Sequence, residues 1–189
     1  MFKIIVTDTS PLITLAVADE LAVLLLPRIP IEIPDAVYNE ATRIKAAPGA
    51  VQIGEWINRN SDMVRIVPTQ TGIDQQRRLE ENRPTRGMGE QAALEAIGIF
   101  LDLHPEDRVL LLFEDADIEK RRAFLDERTS LISTGEFLRV LEHENEIPSA
   151  EKILDKAAAS GRTIEKQRKD DIRNAESRKE LQEQIQTTR

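Results

Sequence analysis

Short apolar runs recur along the chain and are separated by segments whose apolar residues have helical spacing. Near-continuous apolar runs of this length are typical of strands that are buried on both faces of a parallel sheet. The pattern predicts five strands, at residues 2–7, 29–33, 63–67, 108–113 and 130–132.

Helices are predicted between these strands. Ser10 is the expected N-cap of the first helix because Pro11, a residue favoured at the first helical position, follows it. The remaining pattern predicts helical segments at residues 12–17, 20–26, 34–45, 48–60, 73–81, 87–103, 118–126 and 135–143. Strands that alternate with helices in this way predict an α/β fold with a mainly parallel central sheet.

The composition changes near residue 144. Residues 144–189 contain ten Lys or Arg and ten Asp or Glu, so the first 143 residues carry the whole net charge of −8. Large apolar residues are sparse after Gly161. We therefore predict one domain at 1–143 and a charged C-terminal extension at 144–189, either an exposed helix or a partly disordered segment that orders on a partner.

The overall composition limits the classes of function. Of the 189 residues, 40% are hydrophobic, 32% are charged and none is cysteine, which excludes disulfides and thiol catalysis. We expect no membrane span, because no apolar run approaches the roughly 20 residues that one needs. The N-terminal sequence lacks a signal-peptide pattern, so we expect a cytoplasmic protein. The acidic charge argues against nonspecific binding to nucleic acid, but not against a nuclease whose carboxylates hold cations.

Two aspartates follow predicted buried strands. Asp8 comes directly after the first strand, and Asp115 comes after the fourth, between Glu114 and Asp117. In parallel α/β sheets, sites form beyond the carboxyl ends of the strands. The alternatives are that Asp8 caps the next helix, and that the second group is a solvated acidic turn in which Asp117 is a cap. We expect Glu114 to face solvent.

Glu40 lies on a predicted helix at a position that suggests burial. Val37, Glu40 and Ile44 form one stripe of that helix at spacings i, i+3 and i+7. A carboxylate on a core-facing stripe is costly unless a cation or donor satisfies it. The alternative is a solvated glutamate at the edge of the stripe.

Glu90 shares a similar stripe with Ala93 and Ile97. Gly87 and Gly89 come just before it and permit close backbone approach at the start of the helix. The alternative is ordinary first-turn chemistry, since an acidic residue there interacts favourably with the helix dipole.

These four carboxylates suggest a site for Mg²⁺ or Mn²⁺, which prefer oxygen ligands. Such ions activate water and stabilise a phosphodiester under attack, and that chemistry needs neither histidine nor cysteine. The sequence contains no P-loop, no GxSxG motif and no dinucleotide fingerprint.

Several short motifs, taken in order, resemble PIN-domain ribonucleases over roughly residues 1–143. These motifs are Val6-Thr7-Asp8-Thr9-Ser10-Pro11, Tyr38-Asn39-Glu40, Gly87-Met88-Gly89-Glu90, Leu111-Leu112-Phe113-Glu114-Asp115-Ala116-Asp117 and Ile132-Ser133-Thr134-Gly135. The resemblance implies a three-layer α/β/α fold and a metal-dependent endoribonuclease that leaves a 5′-phosphate and a 3′-hydroxyl. Many similar proteins are VapC-like toxins, which are homodimers blocked by a small antitoxin.

The resemblance also implies roles for individual residues. Asp8, Glu40, Glu90 and Asp115 match the family's catalytic, metal-binding acids, and Asp117 matches an accessory acidic position. Thr9, Ser10 and Thr134 match polar positions near the site. This sequence departs from the pattern in two places, with Phe113 where many members have a small hydroxyl residue and with the long C-terminal extension.

Two other functions fit parts of the pattern. A noncatalytic PIN-like module that binds RNA or protein through its charged C-terminal extension would explain the acidic core. A phosphatase of the haloacid-dehalogenase type also begins with a strand-end aspartate, but it requires a second aspartate where this chain has Ser10. We rank the phosphatase lower for that reason.

Overall fold

The central element is a five-stranded sheet in which all neighbouring strands are parallel. A computed structural model describes residues 1–114, 122 and 125–188. The strands are β1 (Phe2–Thr7), β2 (Ile31–Pro34), β3 (Val64–Val67), β4 (Arg108–Phe113) and β5 (Thr129–Ser133). Their order in the sheet is β3-β2-β1-β4-β5. The predicted parallel α/β fold is confirmed.

Helices cover both faces of this sheet. Those in the described residues are α1 (Thr9–Val17), α2 (Asp35–Thr42), α3 (Ala50–Arg59), α4 (Gln70–Glu80), α5 (Met88–Leu103), α6 (Thr134–His143), α7 (Ala150–Ala159) and α8 (Ala175–Thr188), with 3-10 turns at Leu21–Leu25 and Ile172–Asn174. Neighbouring residues of β1 point to opposite faces. Ile5 packs in one apolar cluster with α1 and α6, whereas Ile4 and Val6 pack in a second cluster with α5. The fold is therefore the three-layer α/β/α arrangement that was expected.

Two predicted helix ends are wrong in ways that affect the site. Helix α1 begins at Thr9, so the N-cap position belongs to Asp8 and not to Ser10. Helix α2 ends at Thr42, so Ile44 is outside it and is 56% exposed. The predicted stripe of Val37, Glu40 and Ile44 therefore does not exist as a buried face. The predicted helix at 118–126 lies almost entirely outside the described residues.

The C-terminal extension packs on the rest of the chain. Ile164, Leu181 and Ile185 are at most 3% exposed and belong to the larger apolar cluster. The Gln184 side chain accepts a hydrogen bond from the Phe2 backbone nitrogen and donates one to the Phe2 carbonyl oxygen. The extension is helical as expected, but the described part is neither an exposed helix nor a disordered segment. The few large apolar residues of the extension are enough to attach it to the core, because most of them face inward.

Within the described residues, no helix is both long and apolar enough to cross a bilayer.

Candidate active site

The chain crosses between the two halves of the sheet at the β1–β4 pair. On one side of β1 lie β2 and β3, and on its other side lie β4 and β5. The carboxyl ends of β1 and β4 therefore flank a topological switch point. Ligands bind to open α/β sheets at such points. Asp8 is fixed there by a hydrogen bond of 3.1 Å from its backbone nitrogen to the Leu112 carbonyl oxygen.

Asp8 occupies the N-cap position of α1, but its side chain does not cap the helix. Its backbone is extended, with φ −81° and ψ 174°, and its carboxylate accepts no hydrogen bond from the first turn. The residue is only 7% exposed. The alternative that Asp8 is simply a helix cap is therefore not supported.

Three of the predicted site residues, Asp8, Thr9 and Glu40, come together at Gly89. A Cβ atom placed on Gly89 would lie 2.7 Å from Glu40 Oε2, 3.0 Å from Thr9 Oγ1 and 3.6 Å from Asp8 Oδ1. The ends of three side chains, from the β1 end, α1 and α2, thus surround the first turn of α5. The packing of α2 against α5 makes this approach possible, and only a residue without a side chain permits so close a contact.

Glu40 is exposed as a residue, but its carboxylate lies against Gly89 and Thr9. Burial of the carboxylate raises the pKa of Glu40 above its ordinary value, and the nearby Thr9 hydroxyl offsets part of that rise. Glu40 makes no ion pair with any residue that the structure describes. A sheltered carboxylate without a cationic side chain beside it is a suitable ligand for an external cation.

Glu90 lies in the first turn of α5, directly after Gly89, and is half-buried. The stripe predicted for this helix is confirmed at Ala93 and Ile97, which are 0% and 3% exposed. Glu90 therefore lies at the end of a buried stripe and next to the glycine that Asp8 and Glu40 approach.

Glu114 differs most from its expected position. Its side chain is only 8% exposed, so the expectation that it faces solvent is wrong. One carboxylate oxygen accepts hydrogen bonds from Thr14 Oγ1 at 3.0 Å and from Arg162 Nη2 at 3.3 Å. Burial raises the pKa of Glu114, and Thr134, Arg162 and Thr14 each lower it by a smaller amount.

The three accessory residues lie in two places. Thr9 lies beside Gly89, together with Asp8 and Glu40. Its buried hydroxyl has no hydrogen bond of good geometry with the described part of the chain. Thr134 is fully buried at the start of α6, on the side of Glu114. Ser10 is half-buried, and its carbonyl oxygen accepts a hydrogen bond from Arg162.

Sequence patterns gave no sign of Arg162. It lies 148 residues from Thr14, yet its Nε donates to the Thr14 hydroxyl at 3.0 Å. The sequence did contain a signal for the burial of Glu114. This residue directly follows the continuous apolar run of β4, which predicts a strand buried on both faces.

The donor chemistry suits a hard divalent cation. Within residues 1–114, 122 and 125–188, no three His, Asp or Glu side chains are grouped closely enough to hold a metal ion. The predicted ligands Asp115 and Asp117 lie outside the described residues. What fits the ion is that the groups approaching Gly89 are all oxygen donors, namely the carboxylates of Asp8 and Glu40 and the Thr9 hydroxyl.

Comparisons with known proteins gave one match. A protein family described as a PIN domain matches residues 4–177 of the chain. Neither the curated proteins nor the solved structures contain a match. The family match extends well into the C-terminal extension, which agrees with the packing of that extension on the common core.

Proposed function

The chain belongs to the PIN-domain family, and from that premise we propose that it is a metal-dependent endoribonuclease that hydrolyses RNA phosphodiester bonds. PIN domains are generally nucleases, so hydrolysis of nucleic acid follows from the family. The observation that carries the narrower proposal is the close approach of the Asp8, Thr9 and Glu40 side chains to Gly89, at the carboxyl edge of the sheet.

In this proposal, Asp8, Glu40, Glu90 and Asp115 hold Mg²⁺ or Mn²⁺, with Asp117 as an accessory ligand. When bound, the ion supplies activation of water and stabilisation of the charge that develops on the phosphodiester. These carboxylates would hold the ion, and the absence of a side chain at Gly89 allows Glu40 and Asp8 to approach the first turn of α5. The Thr9 hydroxyl lies beside the Glu40 carboxylate and helps to hold it in place. The products are a 5′-phosphate and a 3′-hydroxyl.

The test is cleavage of labelled single-stranded RNA by the purified chain with Mn²⁺ or Mg²⁺, with EDTA as the control. Asp8→Asn keeps the size of the side chain but removes its charge and replaces one acceptor oxygen with an NH2 donor. We expect it to lower the cleavage rate by more than about 100-fold while leaving the unfolding midpoint nearly unchanged. Full activity in Asp8→Asn, or activity that persists in EDTA, would contradict the proposal.

A narrower proposal concerns the biological role. The motif resemblance supports a VapC-like toxin that is cytoplasmic, forms a homodimer and is blocked by a small antitoxin. Co-expression with a small neighbouring reading frame should suppress RNA cleavage and give a stable complex on gel filtration. Unrestrained growth of cells that express the active chain alone would argue against a toxin.

The charged C-terminal extension supports a second candidate, a noncatalytic module that binds RNA or protein. Tight binding of RNA without cleavage of any tested RNA in Mn²⁺ would favour this candidate over the enzyme.

A further inference from the structure

Residues 162–174 cross the carboxyl edge of the sheet beside the candidate site. At one end, Arg162 contacts Glu114 at the end of β4 and the Ser10 carbonyl oxygen in α1. At the other end, the Asp171 nitrogen and the Asn174 amide donate to Glu136 in the first turn of α6. This segment, which we call the C-terminal strap, is thus fixed at both ends.

Most cationic side chains of the strap are in ion pairs. Arg162 pairs with Glu114, Arg173 with Asp171, and Arg168 with Glu151 and Asp155. Lys166 and Lys169 are exposed and make no ion pair within the part of the chain that the structure describes. Arg162 and Arg168 therefore hold the strap on the rest of the chain, whereas these two lysines have no such role.

The strap and the start of α1 line a polar cavity that is open to solvent. This cavity has a volume of about 270 Å³, and its lining is Ser10, Glu114, Arg162, Thr163, Lys166 and Gln167. A second cavity of about 530 Å³ shares Glu114, Lys166 and Gln167 with the first and also contains Lys169. The two cavities follow each other along the strap. Ser10, which lines the first, is two residues after Asp8 in the sequence.

The charges of these cavities balance unevenly. In the first cavity, the Glu114 carboxylate is offset by Arg162, so the ammonium of Lys166 is in excess. In the second, Asp170 pairs with Arg139 and Arg178, and Asp171 pairs with Arg173. The Glu136 carboxylate also lines this cavity and has no ion pair within the described residues, so Lys169 is in excess only because Asp170 is paired with two arginines. Locally these two lysines favour an anionic ligand, although the chain as a whole carries a net charge of −8.

We propose that Lys166, with Arg162 and the hydroxyls of Ser10 and Thr163, forms a phosphate-binding subsite for the RNA strand. Lys169 contacts the next phosphate along the strap. The strand then passes from the carboxylates around Gly89 across the β4–β5 side of the sheet edge. This subsite rests on the proposed ribonuclease function, because it binds the same substrate.

The test is the binding of a fluorescein-labelled oligouridine of about 12 nucleotides to the full chain, measured by fluorescence anisotropy with Ca²⁺ as the only divalent ion. Each phosphate contact contributes about 0.7 to the slope of log K against log salt for single strands. We expect Lys166→Ala to lower this slope by about 0.7 and to weaken binding about fivefold at 0.1 M salt. The double variant with Lys169→Ala should lose about twice as much slope.

Lys152 provides the matched control, because it is exposed on α7 and lines neither cavity. Lys152→Ala should bind RNA like the wild type, and Lys166→Arg should retain most of the affinity. An unchanged slope in Lys166→Ala would overturn the subsite, as would an equal loss in Lys152→Ala or no binding by the wild type. Circular dichroism checks that each variant is folded.

Cleavage in Mn²⁺ separates this proposal from the enzyme proposal. If the wild type cleaves RNA and Lys166→Ala binds and cleaves equally well, the subsite fails and the enzyme stands. If binding depends on Lys166 but nothing is cleaved, the subsite stands and the enzyme fails.

Discussion

Replacement of Gly89 by alanine should separate catalysis from stability. The added Cβ would lie 2.7 Å from Glu40 Oε2, about 0.7 Å closer than an ordinary van der Waals contact of 3.4 Å. The 3.0 Å approach to Thr9 Oγ1 is also tight. Since the Glu40 carboxylate is the free end of a flexible side chain, it will move away, and the backbone of α5 will not need to move.

This movement has opposite consequences for stability and for activity. Alanine is favoured over glycine in a helix by up to about 1 kcal/mol, so the free energy of unfolding should be unchanged or slightly higher. A displacement approaching 1 Å within a catalytic set costs about 100-fold in rate. We therefore expect Gly89→Ala to be as stable as the wild type in urea and to cleave labelled RNA about 100-fold more slowly in Mn²⁺.

Gly98→Ala is the control on the same helix. A Cβ on Gly98 meets no heavy atom within 4 Å, so this variant should gain up to about 1 kcal/mol and keep its activity. A wild-type cleavage rate in Gly89→Ala would refute the reasoning, because the space beside Glu40 would then play no part in the reaction. A large loss of stability would refute the claim that only the carboxylate moves.

Three other predictions concern the strap and the metal. Gly135→Ala should lower the free energy of unfolding in urea by about 1–3 kcal/mol, because its Cβ would lie 1.8 Å from the backbone oxygen of Gln167. An unchanged free energy of unfolding would contradict this contact. Glu136→Ala should cost about 3 kcal/mol, because this fully buried carboxylate accepts three hydrogen bonds; a cost below about 1 kcal/mol would show that water replaces it. In urea unfolding, Mn²⁺ at 100 times its dissociation constant should stabilise the wild type by about 2.7 kcal/mol. Glu40→Gln should reduce this gain in stability at the same Mn²⁺ concentration. An equal gain would exclude Glu40 as a ligand.

The sequence predicted the strands and the strand-end position of Asp8 because that information is local. A continuous apolar run such as β4 is readable without its neighbours, and the carboxyl end of each strand follows from chain direction. The same local logic predicted the buried stripe of α5 at Ala93 and Ile97, where it was right. It failed for α2, because the periodicity did not reveal that the helix ends before Ile44.

Only the tertiary structure decided which side chains meet. Glu40 and Gly89 lie 49 positions apart by their numbers, and their contact depends on the packing of α2 against α5. Glu114 is buried because Thr14 comes from α1 and Arg162 comes from the strap, and no local pattern relates these three residues. Local periodicity specifies which face of an element is apolar, whereas the partners of that face depend on how distant elements pack. The sequence thus determined the elements and the end of the sheet at which a site should form, and the packing determined its neighbours.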